Sequence, residues 1–329
     1  MLEDFILSYE DYNEFNKVIN SYRKYGNAAD EFVKRVPSIL AKYKKDLLID
    51  KFTLLKGGRL GLIFSGYSDK YDKELVIKII PDFLNIYDIE SNAYKKLSNK
   101  YMCPIYVIDD INKVIVMEKL NNNEVLNYQK NKLEMEKFFD IVNSNLTLSD
   151  DEPMSYFGIL NRYFDEIGDS DVLGFDELKK SVLERYEKYF KDEKLYLIHG
   201  DLHTNNIMKN SDGYHAIDPL GYSSPKEFMF ARFIITELFF TSCNQEYFEE
   251  LINFISKYSD KEKLLNAVYI DSMLFLSALL LQIENYSRLL PKVMGIIDLV
   301  SRNINDMEEN KNEENSYNIT KTRKLVFGC

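Results

Sequence analysis

The chain has 329 residues, which is enough for two lobes that each bury a core, and 45% hydrophobic with 29% charged residues excludes an intrinsically disordered protein. A net charge of −11 excludes the basic surface that nucleic-acid binding requires. The three cysteines are far apart and odd in number, which excludes a disulfide framework and predicts a reducing, cytoplasmic location.

Targeting and membrane signals are not expected. The residues after Met1 lack the basic region and apolar core of a signal peptide. The longest apolar run, Met273–Leu281, is shorter than a membrane span and predicts a buried helix. We therefore expect no membrane partner, and the sequence leaves the oligomeric state open.

Three strands are predicted near the start of the folded region, at Phe52–Leu55, Leu60–Ser65 and Leu75–Ile80. Gly57 and Gly58 lie between the first two strands. Glycines let backbone amides approach phosphate groups closely, so this turn is a candidate phosphate-binding loop. A simple hairpin turn is the alternative.

Lys78 interrupts the third strand, where an unpaired ammonium group is costly to bury. One interpretation is a charge that protects an edge strand from aggregation. The glycine turn about 20 residues upstream favours the other interpretation, a lysine that binds nucleotide phosphates.

A lysine of this kind needs an anionic partner, and a helix predicted over residues 88–97 supplies one. Glu90 has apolar residues three, four and seven positions later, which places it on the inward face. Asp88 is the second choice, and a solvated acid in the first helical turn stays open as an alternative. Two further strands are predicted at 105–108 and 114–117.

The segment from Ser149 to Glu177 is strongly acidic, with nine carboxylates against the single Arg162. A cleft lined by negative charge attracts cationic ligands, so Asp165 and Glu166 are candidate contacts for a cationic ligand. A solvated surface loop is the alternative interpretation.

The most informative segment runs from His199 to Met208. It begins after a short predicted strand, Leu195–Ile198, and contains Asp201 followed five residues later by Asn206. A predicted hairpin, 207–209 with 214–217, turns at Asp212-Gly213 and brings Asp218 close to Asn206. Phosphoryl transfer requires this set: one acid accepts the proton of the attacking hydroxyl, while an amide and a second acid hold Mg²⁺.

His199 and His203 have the spacing of a metal-binding pair, but zinc needs further ligands, and the only other histidine is His215. We instead predict catalytic-loop roles. His199 orients the backbone around Asp201, and His203 packs near the acceptor or the phosphate.

The remaining sequence is predicted to be helical over residues 228–240, 245–258, 264–284 and 289–302. Asp271, in the third of these helices, is a candidate acceptor contact, with a position on the helix surface as the favoured alternative. The tail from Asn303 to Cys329 is polar and is predicted to lack fixed structure up to its last apolar residues.

The catalytic segment resembles the aminoglycoside phosphotransferase and choline kinase superfamily. The shared pattern is His-Gly-Asp, four residues, Asn, and then Ile-Asp. The segments 216–221 and 226–233 and the leader around 25–40 are most similar to the streptomycin 6-phosphotransferase and hydroxyurea kinase group. The resemblance covers about Gly26–Leu238. Tryptophans typical of that group are missing, since the chain has no Trp.

Protein kinases fit less well, because Gly200 stands where they have Arg and Asp218-Pro219-Leu220 stands where they have Asp-Phe-Gly. Too few residues separate Asp218 from Glu227 for a substrate-binding activation loop.

The resemblance implies an α+β, two-lobed protein-kinase-like fold. Its parts would be an N-terminal helical extension (1–48), a nucleotide-binding N-lobe (49–119), a catalytic C-lobe (120–302) and the polar tail (303–329). It also implies that Glu118 and Leu120 form the hinge that binds adenine, and that ATP and Mg²⁺ are the cofactors.

The implied activity is phosphorylation of a small-molecule hydroxyl, with Asp201 as base and Asn206 and Asp218 as metal ligands. The acceptor would be cationic, foremost a streptomycin-like aminoglycoside. A kinase for choline, a sugar or an amine metabolite is the second hypothesis. A non-catalytic nucleotide-binding pseudokinase or scaffold is the third.

Overall fold

The computed structural model describes residues 9–56, 60–97, 99–149, 155–168, 172, 174–282 and 286–327. The chain forms two compact units. Unit 1 comprises Met1–Asn145 and Asn205–Gly221, and unit 2 comprises Leu146–Thr204 and Tyr222–Cys329. The units therefore differ from the predicted lobe boundaries, since unit 1 extends past residue 119 and includes the hairpin after Asn206.

Unit 1 is built on a five-stranded antiparallel sheet in the order β1-β2-β3-β5-β4. Its strands are β1 (Thr53–Leu54), β2 (Leu62–Ser68), β3 (Lys73–Ile79), β4 (Ile105–Asp109) and β5 (Val114–Glu118). The helices of this unit are α1 (Tyr9–Ser21), α2 (Asn27–Asp46), α3 (Tyr87–Lys96) and α4 (Lys132–Ser144). The predicted strands and the helix at 88–97 are present to within three residues at each end.

Strand β3 lies in the interior of this sheet, between β2 and β5. Lys78 is paired in register with Ile63 on one side and Ile115 on the other. The interpretation of Lys78 as an edge-strand charge is therefore wrong.

Helix α2 packs on the sheet through one face. Phe32, Val36, Leu40 and Tyr43 follow the three- and four-residue spacing of a helix and are buried in one core with residues of β1–β3 and β5. The leader helices and the sheet thus share a single core, and Phe32 packs edge-on against the ring of Tyr22 in the absence of Trp.

A second sheet in unit 1 contains the predicted hairpin. Strands β9 (Ile207–Asn210) and β10 (Gly213–Ala216) are antiparallel, and β6 (Asn121–Val125) pairs with β9. The strand β6 was not predicted, because asparagine is depleted in strands and the segment begins with three of them.

Unit 2 is mainly helical. It contains the three-stranded sheet β7 (Thr147–Leu148), β8 (Tyr196–Ile198) and β11 (Tyr222–Ser224) and the helices α5 (Tyr156–Ile167), α6 (Phe175–Tyr189), α7 (Glu227–Phe240), α8 (Gln245–Ile255), α9 (Lys261–Gln282) and α10 (Leu290–Phe327). Side-chain caps fix three helix starts: Ser155 accepts from the N–H of Gly158, Asn244 from Tyr247, and Asp260 from Lys263. Helix α7 is apolar and buried all round from Glu227 to Phe239, as expected for a central helix.

Helix α9 corrects the expectation that no apolar segment reaches membrane-spanning length. It is long and apolar enough over Lys261–Leu281 to cross a membrane by length and composition. However, 78% of its most apolar window is buried inside the structure, which is also the property of a core helix.

The prediction for the tail is also corrected. Helix α10 continues without interruption to Phe327 instead of ending near residue 302. Ile304 is fully buried, and Lys311 forms an ion pair with Glu262 of α9. These contacts anchor the first turns beyond residue 302.

Candidate phosphoryl-transfer site

Unit 1 contains a cavity of about 470 Å³, which is within the range of about 300–1,000 Å³ usual for small-molecule sites. It is bounded by the first sheet, the segment after β5 and the β9–β10 hairpin. Its lining residues include Lys56, Lys78, Met117, Leu120, Asn206 and Asp218. One cavity of unit 1 therefore brings together the described residues that were predicted to bind phosphate, adenine and metal.

Lys78 lies in this cavity wall with two carboxylates around it. Its Nζ lies 2.7 Å from both carboxylate oxygens of Glu90 and 2.8 Å from Oδ1 of Asp218. The side chains of Lys78 and Glu90 are buried, while that of Asp218 is 46% exposed. The predicted Lys78–Glu90 pair is present, whereas Asp88 is exposed and pairs with Lys113.

The two carboxylates keep Lys78 charged. Burial acts to lower the pKa of the Lys78 ammonium group, and it is the largest single influence. The charges and hydrogen bonds of Glu90 and Asp218 together outweigh it, so the pKa lies above its ordinary value. A buried cation of this kind suits the anionic phosphates of a nucleotide.

The hairpin places Asn206 and Asp218 at neighbouring strand ends, as predicted. Ile207 pairs with Ala216, and the N–H of Ile217 donates to the carbonyl of Asn206 at 2.9 Å. Asp218 has a φ of 57°, a left-handed conformation that is strained for a residue other than glycine. Sequence patterns gave no sign of this strain.

These two residues fit Mg²⁺ in the way nucleotide enzymes bind it. An amide oxygen and a carboxylate are hard oxygen donors, and Mg²⁺ usually takes one or two carboxylates together with substrate phosphates. Among the described residues, no group of three or more His, Cys, Asp or Glu side chains is arranged to hold a metal alone. The donor set therefore suits a metal that arrives with a nucleotide.

Two backbone N–H groups of the predicted hinge form hydrogen bonds within unit 1. The N–H of Glu118 donates to the carbonyl of Pro104, and the N–H of Lys119 donates to that of Glu74. The Glu118 side chain is bound by Lys73 and Asn210. Glu118 and Leu120 both line the cavity, and the binding of adenine by the hinge stays a prediction.

The glycine turn cannot be placed, because Gly57 and Gly58 lie outside the described residues. Lys56, immediately before them, lines the cavity. The phosphate-loop role of the two glycines stays a prediction.

The catalytic loop before Asn205 belongs to unit 2. Gly200 has a φ of 83°, which permits the sharp turn after β8. His199 is fully buried, and its Nδ1 accepts a hydrogen bond from the N–H of Asp201 at 3.3 Å. His199 therefore contacts the backbone of Asp201, and its orienting role stays a prediction.

His203 lies beside Asp201, with its Nε2 3.5 Å from Oδ2. Burial acts to raise the pKa of Asp201, but the hydrogen bond and charge of His203, with further help from Arg232 and His199, outweigh it and lower the pKa below its ordinary value. Asp201 is therefore a carboxylate at neutral pH, the form that accepts a proton. The predicted contact of His203 with an acceptor stays a prediction.

A second buried cluster surrounds Asp271, and the expectation that this acid lies on a helix surface is wrong. Its side chain is fully buried, and two bonds to Oδ1 offset the cost of burying the charge: Nη2 of Arg232 binds it at 2.8 Å, and the hydroxyl of Tyr156 donates to the same oxygen. Arg232 and Tyr156 were not predicted. The sequence does contain a signal for Arg232, because this arginine interrupts the apolar helix α7 as Lys78 interrupts the apolar strand β3.

The loop has another support in unit 2. The hydroxyl of Thr204 donates to Glu237 of α7, whose second oxygen accepts from Tyr247 at 2.9 Å. Glu237 is buried, so both bonds are shielded from water.

The acidic segment is exposed where it is described. Asp165 and Glu166 lie on the solvent side of α5, and Asp176 and Glu177 on that of α6. The other acids between 150 and 171 lie outside the described residues. The attraction of cationic acceptors by this segment stays a prediction.

No protein-family model matches the sequence, and no curated protein does. Solved structures match over most of both chains. Choline kinase LicA from Streptococcus pneumoniae has a TM-score of 0.61 at 17% identity, covering 80% of this chain and 99% of that one. The chain has the fold of small-molecule kinases.

Two further solved structures have a similar fold. A putative fructosamine-3-kinase from Thermobifida fusca has a TM-score of 0.53 at 13% identity and covers 78% of this chain and 98% of that one. A thermostable mutant of aminoglycoside phosphotransferase APH(4)-Ia, in complex with AMP-PNP and hygromycin B, has a TM-score of 0.55 at 10% identity and covers 77% and 94%. The predicted protein-kinase-like α+β fold is thereby confirmed.

Proposed function

We propose that this protein is an ATP- and Mg²⁺-dependent phosphotransferase that phosphorylates a hydroxyl group of a small molecule. One observation supports it above the others. Lys78 lies in an interior strand, bound to Glu90 and Asp218, at the wall of a cavity that Asn206 also lines. A buried lysine between an anchoring acid and a metal-binding acid is the arrangement that nucleotide phosphates require.

Each residue then has a distinct role. Lys78 binds the phosphates, Glu90 holds Lys78, and Asn206 and Asp218 hold Mg²⁺, which neutralises phosphate charge when bound. Asp201 accepts the proton of the acceptor hydroxyl, with its carboxylate oriented by His203. Positioning and charge neutralisation account for most of the rate in this chemistry.

For the acceptor, we propose a cationic compound, with a streptomycin-like aminoglycoside first. The exposed acids of α5 and α6 support a cationic acceptor. Choline and fructosamine-type amines are the second candidates, because proteins with this fold include a choline kinase and a putative fructosamine-3-kinase. The proposal that the chain is most similar to the streptomycin and hydroxyurea kinases rests on the sequence resemblance alone.

Turnover with a panel of acceptors tests the proposal. The purified protein would be incubated with Mg·ATP and streptomycin, hygromycin B, choline, a fructosamine and a neutral sugar, and phosphorylated products would be detected by mass spectrometry. We expect at least one product that disappears in Asp201→Asn. Tight Mg·nucleotide binding with no product from any acceptor would favour the pseudokinase hypothesis instead.

A further inference from the structure

Helix α3 contributes a second side chain to the phosphate-binding cluster. Tyr94 lies one helical turn after Glu90, on the same buried face. Its hydroxyl oxygen accepts a hydrogen bond from the backbone N–H of Asp218 at 3.1 Å. Glu90 thus reaches Lys78 while Tyr94 reaches the proposed metal ligand.

The Tyr94 hydroxyl is used in both directions. It accepts from Asp218 and, at 3.9 Å, points its proton toward Sδ of Met117, which lines the same cavity. Phenylalanine would fill the same space without either interaction.

The segment after Asp218 is held on the same helix by close packing. Gly221 has a φ of 65°, and a Cβ atom at this position would lie 2.7 Å from Cβ of Ala93. Two consecutive residues of α3 therefore contact the two ends of the segment 218–221. Helix α3 supports both the lysine and the metal ligand.

The left-handed backbone conformation of Asp218 requires contacts that hold it in place. A non-glycine residue with positive φ is held in place only when its surroundings fix it. The bond from its N–H to Tyr94 is one such contact, and the Oδ1 contact with Lys78 shows where the carboxylate then points.

We propose that Tyr94 is a positioning residue for metal binding: its hydroxyl fixes the backbone of Asp218 so that the carboxylate is presented to Mg²⁺ in the nucleotide cavity. This inference rests on the proposed function. It adds a residue that touches neither nucleotide nor metal and that acts through Asp218.

The test uses Tyr94→Phe in the 329-residue chain. AMP-PNP affinity is measured by calorimetry with and without Mg²⁺, and the ratio of the two affinities gives the contribution of the metal. Tyr43→Phe is the matched control, because it also removes a buried hydroxyl that bonds to an aspartate of unit 1, here Asp109. Thermal unfolding of both variants reports any general loss of stability.

We expect Tyr94→Phe to reduce the Mg²⁺ enhancement about tenfold, the usual consequence of losing one buried hydrogen bond, with Mg²⁺-free affinity unchanged. Tyr43→Phe should retain the full enhancement. An undiminished enhancement in Tyr94→Phe, or an equal loss of Mg²⁺-free affinity, overturns the inference. A wild-type protein whose AMP-PNP affinity is independent of Mg²⁺ contradicts the proposed function itself, and the inference with it.

Discussion

Lys78 in unit 1 and Arg232 in unit 2 are both buried cations in apolar segments, yet their surroundings differ. Lys78 lies between two carboxylates, one of which, Asp218, is 46% exposed at a cavity. Arg232 binds a single carboxylate, Asp271, which is fully enclosed. The first cluster has an acid that solvent and ligands can reach, and the second does not.

This difference separates a binding cluster from a supporting one. Breaking a buried ion pair that solvent cannot reach leaves an isolated charge inside the protein, so a change in such a pair affects mainly stability. A cluster with one accessible acid can exchange partners when an anion or a metal arrives. Lys78 is therefore predicted to affect ligand binding, and Arg232 to affect stability and the surroundings of Asp201.

The largest expected effect concerns the base, which is in the same unit as Arg232. Asp201→Asn keeps the shape of the side chain but removes its ability to accept a proton, so kcat should fall by about 10²–10⁴-fold. Steady-state kinetics with any acceptor found in the panel measures it. Wild-type turnover in this variant would exclude Asp201 as the base.

The Arg232 cluster provides the second prediction. Arg232→Met should lower the free energy of unfolding by about 3–5 kcal/mol, because it leaves the Asp271 carboxylate buried without a counter-charge. Urea denaturation measures the change. The double variant Arg232→Met, Asp271→Asn removes both charges and should recover much of the loss.

Lys78→Met is the matched comparison for this experiment. It should weaken AMP-PNP binding far more than Arg232→Met does, because Lys78 lines the cavity proposed for the nucleotide and Asp271, the partner of Arg232, is fully enclosed. Equal losses of AMP-PNP affinity in the two single variants would remove the distinction between the clusters.

The metal ligands should show a smaller effect than the base. Asp218→Ala and Asn206→Ala should each weaken Mg²⁺-dependent AMP-PNP binding, and the loss for Asp218 should be at least the roughly 10–100-fold usual when a residue that supports a metal ligand is removed. The loss should be smaller for Asn206, because its amide carries no charge. Calorimetric titration at fixed Mg²⁺ measures both, and an unchanged affinity in Asp218→Ala would exclude its role as a ligand.

The smallest effect is expected at the acidic helix surface. Exposed charge pairs contribute about 0.2–1 kcal/mol and are screened over about 8–10 Å at physiological salt. Reversing Asp165 and Glu166 to Lys should therefore raise the KM of a cationic acceptor modestly at low salt, with Mg·ATP saturating. A neutral acceptor is the control, and an equal response of both would mean that these acids are only solvated.

Local sequence signals were sufficient for two pairings at the cavity, Lys78 with Glu90 and Asn206 with Asp218, but not for the contact between Lys78 and Asp218, which are 140 residues apart. Lys78 and Glu90 are 12 residues apart on adjacent elements, and a charge in an apolar strand followed by an amphipathic helix predicts their contact. The hairpin signal at Asp212-Gly213 likewise predicted the approach of Asn206 and Asp218. The strands β1–β5 and the β9–β10 hairpin were predictable for the same reason.

The supporting contacts depend on tertiary packing that short-range patterns do not encode. Arg232 and Asp271 are 39 residues apart on α7 and α9, so only the packing of these helices decides whether Asp271 is exposed. Tyr94 and Asp218 are separated by 124 residues. The tail was expected to lack structure because it is polar, but Ile304 and Lys311 contact neighbouring helices of unit 2 and extend α10.

The central claim is that unit 1 binds the nucleotide and the metal while unit 2 supplies the base. The most direct test measures AMP-PNP affinity, with and without Mg²⁺, for the wild type, Asp201→Asn and Asp218→Ala under identical conditions. The wild type and Asp201→Asn should show the same enhancement by Mg²⁺, and Asp218→Ala should lose most of it. Together with the loss of turnover in Asp201→Asn, this result would assign nucleotide and metal binding to unit 1 and proton transfer to unit 2. Loss of Mg²⁺ enhancement in Asp201→Asn as large as that in Asp218→Ala would contradict the account.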